Sequence, residues 1–271
     1  MVQVVVFLSP HLDDVVLSCP AFLQRLKQQG CDVRVATFFS EGGPEAGKLY
    51  RRRRSEDRLA VRRLGATALH LGLLDAPFRS PTYKDFCGIV FGRAGEYAAT
   101  RRQVAQAIAD VVSQWSPDRV VAPMAVGNHV DHRLVRDAAL ARAPSEMLFF
   151  YEDRPYAFVR EQVGHVLGRR LILQPERVWK RYFAAAYVRH YRGRTTDSRI
   201  IRAWANVPAF PPGYRLHRAD RFESSPDELA VSLAAIRSYH SQLPDLFEDQ
   251  AEMQALYQRL PERIYRATWT G

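Results

Sequence analysis

At 271 residues, 47% of them hydrophobic and 25% charged, the chain has the composition of a globular protein with a sizeable core, which excludes an intrinsically disordered one. No apolar run approaches the ~20 residues that crossing a bilayer takes, and three scattered cysteines, Cys19, Cys31 and Cys87, exclude a disulfide framework and a Cys-x-x-Cys metal site. The 39 Lys+Arg against 29 Asp+Glu leave a net +10, mostly as arginine, which suits an anionic substrate, an anionic membrane surface, nucleic acid, or no more than a basic soluble surface.

The first half alternates between two periods. "VQVVVFL" (2–8) reads as a fully buried strand rather than a signal peptide, because it lacks a basic leader and two aspartates follow it. Residues 14–29 read as a helix ending near Gly30, and "DVRVATFF" (32–39) as a second strand. A Gly/Pro loop leads to a basic helix over about 48–65, and "ATALHLGL" (66–73) is a third strand. Further along, the spacing predicts a helix at 100–115, a strand at 118–124, a helix at 131–142 and a strand at 146–152. Such alternation predicts an α/β, Rossmann-like three-layer fold with a mainly parallel sheet. Beyond residue 155 the pattern weakens: helical stretches fall near 175–192 and 226–242, and 206–220 is a proline-broken loop or strand region. The expected organisation is a single domain over 1–271, with a core at 1–155 and a C-terminal elaboration at 156–271 walling the site.

Two polar clusters follow strands. "LSPHLDDVV" puts His11, Asp13 and Asp14 after the first strand, and "VVAPMAVGNHVDHRL" puts His129, Asp131 and His132 after the fourth. A parallel sheet carries both to the edge where such folds bind ligands. Hydrolytic zinc sites take three histidine or carboxylate ligands and keep one position for water. His11, Asp14 and one histidine of the second cluster meet that need. Asp13 is then free as general base, the remaining histidine can stabilise an oxyanion, and Asp131 can orient that histidine. An isolated histidine or an N-capping aspartate is commonly structural, but two such clusters at one sheet edge are not readily explained that way.

"PHLDD" followed by "HVDH" resembles the PIG-L/LmbE-like N-acetylglucosaminyl deacetylases, whose motifs are written [AP]-H-P-D-D and H-x-D-H. The resemblance implies a Rossmann-like fold, one zinc ion per chain, and removal of acetyl from an N-acetyl amino sugar, releasing acetate and free amine. It implies His11, Asp14 and His132 as metal ligands, Asp13 as general base, and His129 as oxyanion stabiliser oriented by Asp131. "RRRSEDRLAVRRLGA" is similar to the family's R-x-x-E-x-x-x-A-x-x-x-L-G helix and implies Arg53 as a substrate contact. "LGLLDAPFR" is similar to its L-x-x-D loop and implies Asp75 as a partner of sugar hydroxyls. "YEDRPYA" and "YHSQLPDLF" resemble later family segments of unassigned role.

There are departures. Leu12 replaces the usual proline, Val15 the usual glutamate, and Gly127 stands where some relatives carry a tyrosine. Within "RRRR" (51–54) a helix can turn at most two guanidinium groups toward the sheet edge. His70 reads as a core or supporting histidine, and Arg79, Arg154 and Tyr156 either line the pocket or lie on the surface. The cysteine usage implies a reducing, cytoplasmic setting, and the arginine excess an anionic substrate. A homo-oligomer is compatible with the sequence. A metal-dependent phosphoesterase and a basic nucleic-acid-binding module are the competing readings. Too few bridging carboxylates weigh against the first, and dispersed basic residues without a binding motif against the second.

Overall fold

The computed structural model describes residues 2–93, 95–159 and 198–270. The helix expected near 175–192 lies outside them. β1 (Val4–Ser9) is buried along almost its whole length, as β-branched and aromatic residues in a central parallel strand require. The single helix expected at 14–29 is two, α1 (Asp14–Ser18) and α2 (Pro20–Gln28). Pro20 has no N–H to continue the first helix and keeps Cys19 out of the α region, but its fixed φ suits the start of the second. β2 (Asp32–Glu41), α3 (Gly47–Arg63) and β3 (Thr67–Leu74) follow, and Gly65 at φ 75° supplies the left-handed residue just beyond the end of α3.

Two short helices, α4 (Ala76–Arg79) and α5 (Phe86–Phe91), occupy what reads in sequence as a loop. They lead to α6 (Tyr97–Trp115), β4 (Arg119–Pro123), α7 (Val130–Arg142) and β5 (Leu148–Tyr151). The described C-terminal part holds α8 (Ser198–Trp204), β6 (Tyr214–Phe222), α9 (Pro226–Ile236), α10 (Leu243–Leu246), α11 (Gln250–Arg259) and β7 (Glu262–Trp269).

These strands form a seven-stranded sheet in the order β3-β2-β1-β4-β5-β7-β6. β1 to β5 pair in parallel, with Val4 opposite Asp32 and Val5 opposite Arg119, while β7 joins β5 antiparallel and β6 joins β7 antiparallel. The fold is therefore α/β with a mainly parallel sheet, as expected, extended by an antiparallel pair. One face carries a core of Phe7, Leu23, Val61, Ile236 and Leu256 under α2, α3, α9 and α11. The other carries Leu8, Ile108, Val120 and Leu134 under α6 and α7. At β1 the chain turns to β2 on one side and to β4 on the other. That switch point opens a crevice beyond the carboxyl ends of β1 and β4. No helix among the described residues is long and apolar enough to cross a membrane.

Candidate active site

The loop after β1 and the loop after β4 converge at the switch point, and their three imidazoles pack as a cluster. Ring centroids lie 4.8 Å apart for His11 and His129, and 5.2 Å apart both for His11 and His132 and for His129 and His132. Asp14 opens α1 and accepts the backbone N–H of His11 at Oδ2, 2.7 Å away, which closes the loop on itself. The same Oδ2 faces His11 Nδ1 at 3.2 Å and His132 Nε2 at 3.4 Å. One carboxylate oxygen thus stands between two imidazole nitrogens. The opposite nitrogens of both rings meet other carboxylates: His11 Nε2 is 3.1 Å from Asp131 Oδ2, and His132 Nδ1 is 2.6 Å from Asp153 Oδ1.

Two overlapping donor sets have atoms within 4.8 Å of one another, His11–Asp14–His132 and His11–His129–Asp131. The neighbours decide between them. Both oxygens of Asp131 are engaged, Oδ1 by Arg79 Nη2 at 2.5 Å and Oδ2 by the Ala76 N–H at 3.1 Å as well as by His11. Among the described residues Asp14 meets the two imidazoles and the His11 N–H. Two imidazoles and one carboxylate, each imidazole backed by a second carboxylate, fit a divalent metal such as zinc. The electrostatics fit too: burial works against a charge on His11, but Asp75, Asp131 and Asp14 outweigh it and hold its pKa well above the usual value. The pocket is built for positive charge.

Asp13 differs from its neighbour. It precedes α1 without a side-chain capping bond, lines the cleft and is half-buried. Burial, then the adjacent Asp14 charge, push its pKa up to about 7. Asp14 goes the other way: burial raises it, but His132 and His11 together bring it down to about 2. Two adjacent carboxylates driven apart in this way are a common acid/base arrangement.

His129 sits at the N-cap of α7, and its Nδ1 accepts the Asp131 N–H at 3.2 Å. Burial, then His11 and His132, lower its pKa well below the usual value. The ring is therefore neutral, with its proton on Nε2, the nitrogen able to donate. The resemblance implies Asp131 as the residue that orients His129. The carboxylate turns instead to His11, Arg79 and the Ala76 N–H, and the backbone N–H of Asp131 is what meets His129. A helix opening at Val130 leaves that N–H without an intrahelical partner, and the preceding histidine takes it.

Asp75 and Arg53 also line the cleft. Asp75 Oδ2 accepts the Tyr50 hydroxyl at 2.5 Å, and its Oδ1 lies 3.5 Å from His11 Nε2. Arg53 lies over the Tyr50 ring at 5.3 Å, with its Nε buried and unpaired. Of the four consecutive arginines, Arg51 and Arg52 are exposed and Arg53 and Arg54 half-buried, as helical rotation demands. Among the described residues the arginine excess does not converge on the cleft: only Arg53 and Arg154 line it, and Arg154 donates to the Leu260 and Pro261 carbonyls at 3.0 and 2.8 Å. Arg79 is buried on Asp131 rather than lining the pocket, and His70 pairs with Asp57 at 2.7 Å.

Sequence reasoning missed two residues. Asp153 holds His132 and also accepts the Val126 N–H at 2.8 Å, so it ties the strand-end loops of β4 and β5 together. Gln242 donates from Nε2 to the Leu12 carbonyl, 3.1 Å away, between His11 and Asp13. Both stood in segments already singled out, "YEDRPYA" and "YHSQLPDLF", but no local spacing links either to its partner.

Residues 6–143 match the model of the PIG-L family, described as GlcNAc-PI de-N-acetylase, and the chain belongs to that family. Both histidine clusters lie inside the matched stretch. A 2'-N-acetylparomamine deacetylase of Streptomyces fradiae is 35% identical over 167 residues, 57% of this chain and 58% of that protein. One of Niallia circulans is 29% identical over 187 residues, 55% of this chain and 66% of that protein. The chain thus spans less than two thirds of either relative's length. Among solved structures, a deacetylase of the teicoplanin biosynthesis pathway in complex with teicoplanin superposes with a TM-score of 0.67 at 22% identity, covering 99% of this chain and 100% of that one. N,N'-diacetylchitobiose deacetylase from Pyrococcus horikoshii gives 0.54 at 17%, covering 99% and 84%. At such identities these two structures establish a shared fold.

Proposed function

We propose that the protein is a metal-dependent N-deacetylase of an amino-sugar glycoside. The observation that carries this reading is the His11–Asp14–His132 donor set in the cleft, with Asp13, a half-buried cleft-lining carboxylate, directly beside it. The family match and the similarity to two 2'-N-acetylparomamine deacetylases support both the reaction and the amino-sugar class. His11, Asp14 and His132 would hold one zinc ion. When bound, the metal supplies Lewis acidity toward an amide carbonyl and a water molecule.

The remaining steps belong to the chain. Asp13 takes a proton from the attacking water as its oxygen bonds to the acetyl carbon. His129 donates from Nε2 to the carbonyl oxygen as negative charge develops there. Asp13 then passes its proton to the amide nitrogen as the C–N bond breaks, which leaves acetate and a free amine. Asp131 and Asp153 orient His11 and His132 through the nitrogens opposite those that face Asp14. Arg53 and Asp75 are proposed to meet the sugar hydroxyls. With Arg154 committed to backbone carbonyls, the cleft gives little reason to require an anionic substrate. The continuous sheet supports reading the chain as one domain, with the C-terminal part walling the site.

The test is acetate release from a panel containing 2'-N-acetylparomamine, N-acetylglucosamine and N,N'-diacetylchitobiose, with zinc-loaded and chelated protein. Zinc-dependent release from at least one member is expected. Zinc bound without release from any of them would contradict the deacetylase reading.

A further inference from the structure

The wall of the cleft next to His132 is formed by a tyrosine that the four-residue metal motifs do not contain. Tyr156, at the start of the helical residues 156–159 that follow β5 and its turn, lines the cleft and packs T-shaped with His132, with centroids 6.1 Å apart and planes at 82°. The ring lies directly over Gly127. A Cβ at that position would sit 2.7 Å from Tyr156 Cδ2 and nearer still to Cγ and Cδ1. Gly127 also has φ 89°, where a side chain would be strained. Its N–H is fixed on the Asn206 carbonyl at 3.1 Å.

Tyr156 is therefore no loose flap. The loop beneath it is tied to β5 and its following turn through Met124 N–H on Tyr151 O at 2.9 Å and Val126 N–H on Asp153 at 2.8 Å. Glycine at 127 and tyrosine at 156 are a matched pair, in which the space a side chain at 127 would need is filled from the neighbouring loop.

The cleft has two unlike sides. Arg53 and Asp75 meet on Tyr50 and form a polar side, while Val90 and Trp204 adjoin the Gly127 loop under Tyr156, through Asn128 Nδ2 on the Val90 carbonyl at 2.7 Å and Gly127 N–H on the Asn206 carbonyl, and form an apolar one. An acetamide whose carbonyl lies among Asp13, His129 and His132, and whose sugar turns its hydroxyls to Arg53 and Asp75, has its methyl left to face the apolar side. We infer that Tyr156, seated on Gly127, is the specificity-determining residue that limits the acyl group to acetyl. This rests on the deacetylase reading above. A methyl fits against the ring, and each added methylene must displace a side chain packed between His132 and a fixed backbone. Discrimination of about 10- to 200-fold per methylene is what such walls deliver.

The experiment compares amine release from paromamine carrying 2'-N-acetyl, 2'-N-propionyl or 2'-N-butyryl groups, with zinc-loaded wild type, Tyr156→Ala, Tyr156→Val and Tyr156→Phe. The wild type is expected to favour acetyl over butyryl by about 100-fold or more in kcat/KM. Tyr156→Ala and Tyr156→Val should each reduce that ratio at least about tenfold, and Tyr156→Phe, which keeps the ring, should preserve it. The Val variant decides the matter if the Ala variant does not fold. An unchanged ratio in an active Ala or Val variant overturns this inference and leaves the deacetylase reading intact, as does a ratio lost in Tyr156→Phe. No release of any acyl group by the wild type, from paromamine or from glucosamine and chitobiose acylated in the same way, overturns both.

Discussion

Residues 6–143 and residues 198–270 build one sheet in opposite ways. The first stretch lays down buried parallel strands whose carboxyl ends carry His11, Asp13, Asp14, His129 and His132. The second adds the antiparallel β6 and β7, of which β6 is largely exposed, and a helical layer. Its buried polar groups reach back to the first. Glu262, at the start of β7, accepts the Ala21 and Phe22 N–H groups at 2.9 Å each and so caps α2, just beyond the loop that carries His11, Asp13 and Asp14. Gln242 holds the Leu12 carbonyl, and Arg25 of α2 grips Glu228 at 2.7 and 2.9 Å. On the proposed mechanism one region supplies the reacting groups and the other keeps the loop that bears them in place. Substitutions in the first should therefore change turnover or metal affinity, and in the second stability.

The largest effect expected is at Asp13. Asp13→Asn should lower kcat about 10²- to 10⁴-fold with bound zinc and the melting temperature retained, as steady-state kinetics and metal analysis would show. Next is Asp153→Asn, which weakens the acceptor behind His132. Zinc affinity measured by competition with a chelating dye should fall about 10- to 100-fold.

On the supporting side, Glu262→Ala leaves two buried helix N–H groups without an acceptor. It should cost about 1–3 kcal/mol in urea unfolding while kcat of the folded protein is unchanged. The smallest effect is at Glu228, whose pKa the Arg25 guanidinium holds down at about 2 in the folded chain. Because the folded value lies below the unfolded one, the pair stabilises the protein above pH ~4.5 and loses that contribution as pH falls toward 2. Glu228→Gln should thus cost about 1 kcal/mol at pH 7, for a partly solvated pair, and progressively less at pH 3. A turnover defect from Glu262→Ala, or a pure stability defect from Asp13→Asn, would break the division.

The same division explains what could be read from sequence. The parallel strands were legible because their buried faces leave near-continuous Val, Phe and Leu runs, and the two clusters because each packs its polar residues within four positions. The break at Cys19 was written in Pro20 but masked by helical spacing on either side. β7 escaped because "ERIYRATW" is only half-buried and its alternation is interrupted by charged residues. Asp153 and Gln242 escaped for another reason: their partners, His132 and Leu12, lie 21 and 230 residues away, and side-chain pairing across elements leaves no periodic trace. The partners of the Asp131 carboxylate, Arg79 and the Ala76 N–H, escaped likewise because they arrive from 52 and 55 positions away.

The central claim is that Asp13 works as the base beside a metal held by its neighbours. The most direct measurement is zinc content and acetate release on the same preparations of wild type and Asp13→Asn, using whichever acetylated sugar the wild type turns over fastest. The account predicts one zinc per chain in both and release by the wild type alone. Substantial release by zinc-loaded Asp13→Asn, or undiminished release by fully chelated wild type, would contradict it.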